Sequence, residues 1–260
     1  MQPDRFNPQR LRADWEERAI SEGSSYRGVL LRNLPHLLNN YLHEQHTCVI
    51  QQFLLSRMPP GSKVLDAGCG YGRISAYIRE IRPDISLIGI DFAPSYCQLY
   101  KENIAAPAIC ADFACIPLPY HCLDGLIAVT ALMYFPENQR TLVASELIKR
   151  LKPGGLAFFI DPGLEYLNLL GGKQRVSSTT SGSGISLKTY DQLGNNPPAQ
   201  IKACGGWFGF SFLLPLLYVT RRQYRLTKYL LQVANVLDKA LASWRRFSLH
   251  RWMLVQRLAV

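Results

Sequence analysis

No stretch of this 260-residue chain is long and apolar enough to span a bilayer. The longest apolar run, residues 207–219, contains Pro215 and falls short of the ~20 residues a transmembrane helix needs. The first twelve residues hold Asp4, Arg5, Arg10 and Arg12 and have no apolar segment, so no secretory signal is expected. Cysteine is sparse and unpatterned. The seven cysteines, at positions 48, 69, 97, 110, 115, 122 and 204, form no Cys-x-x-Cys pair, which argues against structural zinc and thioredoxin-like chemistry. They are expected as reduced thiols in a cytoplasmic protein, with no metal site. Acid is scarce: 19 Asp and Glu face 29 Lys and Arg, a net charge of +10 that favours anionic partners. Disorder is excluded by what is present, because 48% of residues are hydrophobic and only 18% charged.

Three regions follow along the chain. Residues 1–60 form an N-terminal helical cover, with a helix running from about Asn33–Pro35 to Met58, where Pro59, Pro60 and Gly61 break it. From residue 61 onward, short apolar runs alternate with helical patterns. Strands are predicted at Lys63–Ala67, Leu87–Asp91, Ala108–Ala111, Gly125–Thr130 and Leu156–Asp161, and helices at Arg73–Ile81, Ser95–Ile104 and Glu137–Leu151. That alternation predicts an α/β fold with a mostly parallel, Rossmann-like sheet and helices on both faces. Residues 162–186 contain a polar stretch, Gly171–Gly184, expected to be a mobile lid loop. Beyond it we expect a helix near Leu187–Cys204, a strand near Trp207–Phe212, a basic helical insertion over 221–247 and a last strand near Arg251–Leu258.

Val64-Leu65-Asp66-Ala67-Gly68-Cys69-Gly70-Tyr71-Gly72 is a strand entering a glycine-rich turn. Glycines admit positive φ and close approach of a ligand to the backbone. The Gly-x-Gly-x-Gly spacing differs from the dinucleotide fingerprint, and Asp66 would repel a pyrophosphate at the following helix N-terminus. A carboxylate there suits a ligand with a cationic end. Asp91 ends the second predicted strand, where an acid can accept bonds from both ribose hydroxyls. Asp112 ends the third and can accept from an adenine amino group, with Phe92 or Phe113 flanking the ring.

These residues resemble the class I S-adenosylmethionine-dependent methyltransferases. The likeness covers roughly residues 60–165. It adds Leu123-Asp124-Gly125-Leu126 before the fourth strand, Leu151-Lys152-Pro153-Gly154-Gly155 before the fifth, and Trp15-Glu16-Glu17-Arg18-Ala19 near the start. It implies a seven-stranded sheet whose last strand is antiparallel. It implies S-adenosylmethionine as cofactor, with Asp66, Gly68, Gly70 and Gly72 lining the methionine end, Asp91 the ribose and Asp112 the adenine, and with Cys69, Phe92 and Phe113 among the cofactor contacts. Val129 and Tyr26 are added as cofactor contacts, Tyr26 as a residue that closes over the methionine end.

Methyl transfer from a sulfonium needs an aligned nucleophile more than a base. Tyr134 follows the fourth strand, and His43 and His46 share one helix face by their i,i+3 spacing, so these three are the catalytic candidates. Many small-molecule members of the family carry a His near the position of Tyr134. The expected acceptor is a small, partly apolar metabolite, methylated on O, N or C. No nucleic-acid partner is expected: Asn195-Asn196-Pro197-Pro198 lies far past the fourth strand and lacks the aromatic of the amino-methylating DNA enzymes. The alternatives are a non-catalytic scaffold on the same fold, or an acceptor that is macromolecular or membrane-associated. Residues 221–260 hold nine basic residues against Asp238 beside an apolar helical stripe. That segment either packs with its charges solvated or makes peripheral contact with an anionic membrane.

Overall fold

The computed structural model describes residues 7–169, 182–196 and 198–259. Seven strands form its centre: β1 (Lys63–Ala67), β2 (Ser86–Asp91), β3 (Ala108–Cys110), β4 (Leu123–Val129), β5 (Leu151–Pro162), β6 (Ala199–Gly206) and β7 (His250–Arg257). They form one sheet in the order β3-β2-β1-β4-β5-β7-β6. The first five pair in parallel, and β7 runs antiparallel between β5 and β6. The helices α1 (Pro8–Glu22), α2 (Tyr26–Val29) and α3 (His36–Phe53) precede the sheet. Crossover helices α4 (Arg73–Ile81), α5 (Pro94–Ile104) and α6 (Glu137–Lys149) join its parallel strands. They are followed by α7 (Leu164–Leu169), α8 (Leu187–Gly194), α9 (Phe208–Thr220) and α10 (Tyr224–Ala240).

Both faces of the sheet are covered, which explains why its strands read as continuous apolar runs. In β7, Trp252 and Leu254 join the layer built with Leu38, Leu42 and Ile50 of α3, while Met253 and Val255 join the layer built with Val143 and Leu147 of α6. The two-residue period of a strand thus sends alternate side chains into two separate cores. The register Phe159↔Met253 and Phe158↔Leu254 locks β7 onto β5. Glu16 of α1 accepts from the Ser95 backbone N–H at 3.1 Å and from its hydroxyl, so α5 borrows its N-terminal cap from the cover helix.

Two expectations for the last third are corrected. The helix predicted over 187–204 ends at Gly194, and residues 199–206 are β6. The break falls at Asn195 and Asn196, and the following residues pair with Met253–Arg257, which a helix there would leave unpaired. The strand predicted over 207–212 is instead the start of α9. Its buried residues are Gly209, Phe210, Ser211, Leu217 and Thr220, and Phe210, Leu217 and Thr220 among them recur at helical spacing. The basic helix is α10, shorter at both ends than the 221–247 expected. Of the polar stretch expected as a lid, residues 171–181 lie outside the described residues, whereas 164–169 form α7. Among the described residues, no helix is long and apolar enough to cross a membrane.

Candidate active site

β1 delivers the chain to a turn built from backbone bonds. The Gly68 and Cys69 N–H groups donate to the Ile90 carbonyl at 2.8 and 3.1 Å, tying the turn to the end of β2. Gly68, Gly70 and Gly72 all have positive φ, +74°, +51° and +89°. Gly70 needs its glycine twice over, because a Cβ there would also lie 2.7 Å from Val29 Cγ1 of α2. Its N–H donates to Asp91 Oδ2 at 3.0 Å, and Ala93 N–H donates to Asp91 Oδ1 at 3.0 Å. The Asp91 carboxylate is therefore fixed by two backbone donors and keeps its remaining lone pairs for another partner.

Asp66 accepts from Ser75 Oγ at 2.7 Å, and that hydroxyl accepts from Tyr100 at 2.9 Å. Both aspartates are buried. Burial pushes each carboxyl up to about 6, against the Ser75 hydrogen bond and the Arg73 charge for Asp66 and the backbone donors for Asp91. The two thus ionise just below neutral pH, and a cation beside either would favour the ionised form.

That nearby charge, Arg73, opens α4 and is itself buried. It donates to His43 Nδ1 at 2.8 Å and to His46 Nδ1 at 3.3 Å. A guanidinium only donates, so both Nδ1 atoms accept and both imidazoles carry their proton on Nε2. His46 Nε2 then donates to His250 Nδ1 at 3.1 Å, at the start of β7. Burial first, and the Arg73 charge second, hold all three imidazoles neutral: His43 and His250 fall to about 4, and His46 falls well below its ordinary value.

One cavity opens at this edge of the sheet, where the parallel strands end. Of the residues singled out from the sequence, Asp66, Gly68, Cys69, Gly70, Asp91, Phe92, Asp112, Phe113, Val129 and Tyr134 line it. Gly72 does not, and a Cβ there would meet Ile104 Cγ1 at 2.5 Å, so this glycine serves helix packing. His43 and His46 stand behind Arg73 rather than in the cavity. Tyr26 stacks near His36 and His43 with ring centroids 5.4 and 5.3 Å apart, and its hydroxyl donates to Asn40, away from the lining. The sequence reading missed Leu11, Trp15 and Val29, which roof the cavity, and Arg73 and Tyr96 in its wall. Trp15 meets Tyr134 edge-on at 5.2 Å, and the Arg18 guanidinium lies 4.8 Å from the Trp15 ring. Asp161, at the end of β5, accepts from the Met133 N–H at 3.1 Å and so fixes the segment that carries Tyr134.

Residues 64–155 match the family described as methyltransferase domain. Residues 64–155 are thus a methyltransferase domain, set in the strand order of the class I S-adenosylmethionine-dependent methyltransferases. The cofactor of this domain is S-adenosylmethionine, and the site suits it: two buried carboxylates and a buried guanidinium match a ligand with an ammonium, a ribose diol and a carboxylate. Among curated proteins, the chain is 27% identical over 144 residues to a tRNA (carboxymethyluridine(34)-5-O)-methyltransferase of Xenopus tropicalis, across 52% of this chain and 22% of that one. It is 29% identical over 121 residues to the tRNA (carboxymethyluridine(34)-5-O)-methyltransferase of Schizosaccharomyces pombe, across 46% and 50%. A sterol 24-C-methyltransferase of the same yeast matches at 32% over 115 residues, across 41% and 30%. The chain thus spans half or less of the length of these relatives. Among solved structures, magnesium protoporphyrin IX methyltransferase from Synechocystis PCC 6803 shares the fold, with a TM-score of 0.65 at 14% identity over 96% of this chain and 100% of that one. Among the described residues, no cluster of three or more His, Cys, Asp or Glu is placed to hold a metal.

Proposed function

We propose that the chain transfers the methyl group of S-adenosylmethionine to an O, N or C nucleophile of a small, partly apolar acceptor. When bound, the cofactor supplies an electrophilic methyl on a sulfonium whose leaving group is a neutral thioether. Asp66 pairs with the ammonium, and Arg73 with the carboxylate. Asp91 accepts from the ribose hydroxyls with the lone pairs its backbone donors leave. Asp112 takes the adenine edge, and Phe92 and Phe113 flank the ring. Tyr134 bounds the acceptor side, packed by Trp15 so that its ring holds one orientation. Burial raises the Tyr134 hydroxyl above its ordinary value, so it serves as a hydrogen-bonding group and not as a base at neutral pH. No base is needed for an acceptor with a free lone pair.

The observation that carries this reading is the apolar roof of Leu11, Trp15 and Val29 over a cavity floored by Asp66 and Asp91. It fits an acceptor small enough to lie beneath it. Calorimetric titration with S-adenosylmethionine is the test. Wild type should bind and Asp91→Ala should bind at least tenfold more weakly, since a charge-assisted bond is worth roughly 1.5–3 kcal/mol. No binding by wild type would sink the proposal. A second reading, a tRNA acceptor, is favoured by the named activity of two of the relatives above and by the net charge of +10. Incorporation of labelled methyl into total tRNA, compared with a small-molecule extract, separates the two.

A further inference from the structure

The insertion between β6 and β7 is a helical hairpin. β6 ends and β7 begins at the edge of the sheet that carries the cavity, so the hairpin of α9 and α10 stands at that edge. The two helices pack closely through Gly209, where a Cβ would lie 2.5 Å from both the Ala234 carbonyl and Leu237 Cβ. Their tip is pinned by the Thr227 hydroxyl donating to the Thr220 carbonyl at 2.6 Å. The hairpin seats on α3 through Tyr41, which stacks on Phe210 at 5.3 Å and donates to Asp238 at 3.0 Å.

What the hairpin turns outward is unusual for a water-facing surface. α9 contains no charged residue at all. Its outer stripe is Phe212, Leu216 and Val219, exposed by 66%, 46% and 74%. Tyr218 and Tyr224 flank the tip and are exposed as well. The charge beside this stripe has one sign. Residues 207–249 hold Arg221, Arg222, Arg225, Lys228, Lys239, Arg245 and Arg246 against the single acid Asp238, and Asp238 is buried against α3 and the Phe210 backbone. Arg245 is paired with Asp191, whereas among the described residues Arg221, Arg222, Arg225 and Lys228 form no ion pair. A contiguous apolar stripe rimmed by unpaired cations, with aromatics at the boundary, matches the layering of a lipid surface: acyl chains, interface, anionic headgroups.

We propose that the tip of the α9–α10 hairpin docks on an anionic lipid bilayer, with Phe212, Leu216 and Val219 in the acyl boundary and Arg221, Arg222, Arg225 and Lys228 on the headgroups. A second copy of the chain is a poor occupant, because it would bring a like-charged rim against this one. Docking places the cavity edge beside the bilayer, where a partly apolar acceptor would be dissolved.

The test is co-sedimentation of the whole chain with phosphatidylcholine vesicles, with and without phosphatidylglycerol. Binding is expected only with the anionic lipid, and it should fade by ~0.5 M salt, where the Debye length is only a few Å. The variant R221Q/R222Q/R225Q/K228Q should lose at least a hundredfold in partition, since each engaged cation contributes about fivefold. F212S/V219S keeps every charge and should lose about tenfold or more, which a purely electrostatic contact would not show. Both variants should keep the wild-type circular dichroism and cofactor affinity, because none of these residues touches the cavity. Failure of wild type to sediment at low salt overturns the proposal. So does binding that F212S/V219S leaves unchanged, and so does a preference for total tRNA over vesicles in direct competition.

Discussion

Arg73 follows the last glycine of the turn and, among the described residues, has two neutral imidazoles and no carboxylate as direct partners. A buried cation so placed is short of an anion, and the cofactor carboxylate would provide one. The His46→Ala variant should weaken cofactor binding about tenfold, the cost of leaving one buried donor unpaired, while kcat at saturating cofactor stays close to wild type. His46→Gln, which restores an acceptor, should recover much of the loss; a kcat defect instead of a binding defect would point to His46 acting on the reaction itself. Asp66 makes a prediction in pH. Its unliganded carboxyl sits at about 6, raised by burial, so ionisation costs the empty protein stability as pH climbs through that value. A bound ammonium favours the ionised form. The melting-temperature gain on adding S-adenosylmethionine should therefore grow as pH rises through about 6 and level off above it. In Asp66→Asn that growth should shrink to the part carried by Asp91. These two aspartates could be read in the sequence because short-range geometry places them: each ends a strand beside a turn. The Arg73 relay could not, because its partners come from α3 and β7, and only the finished fold brings His250 to His46.

The elements that could be read from sequence are those whose own residues decide their form. β1, β2 and β4 are short apolar runs closed by turns, and α4 follows a glycine that no side chain could replace without strain. The start of α8 was placed correctly, but residues 195–212 were misread because two signals conflict there. Ala199–Gly206 is a strand only through its pairing with β7, and the apolar run of α9 has no polar face to reveal a helical period. α9 is held by its neighbour, and Gly209 is where they meet. Gly209→Ala would overpack that contact at a cost of ~1–3 kcal/mol. A thermal melt should drop by several degrees, and hydrogen exchange should speed up in α9 and α10 with cofactor affinity unchanged. The glycine turn answers to a different neighbour. Gly70→Ala should push α2 off the turn and disturb the N–H that holds Asp91, so cofactor affinity should fall at least tenfold in a protein that still folds, as titration and circular dichroism would report.

In the whole molecule, α1, α2 and α3 close over one end of the sheet and the hairpin of α9 and α10 braces α3 from the other side. The three imidazoles lie at that junction, linking the cover, the turn and the last strand. The order of the sheet has a consequence for how the chain is made. β6 is complete at residue 206, but its one neighbour, β7, starts only at residue 250. During synthesis from the N-terminus the five parallel strands are available to pair while β6 still waits, with an apolar α9 trailing behind it. The sheet closes when β7 slides between β5 and β6 and satisfies two open edges at once. Until then the nascent chain exposes both edges, so the interval between residues 206 and 257 is when misassembly, or capture by a chaperone, is most easily seen in arrested ribosome complexes.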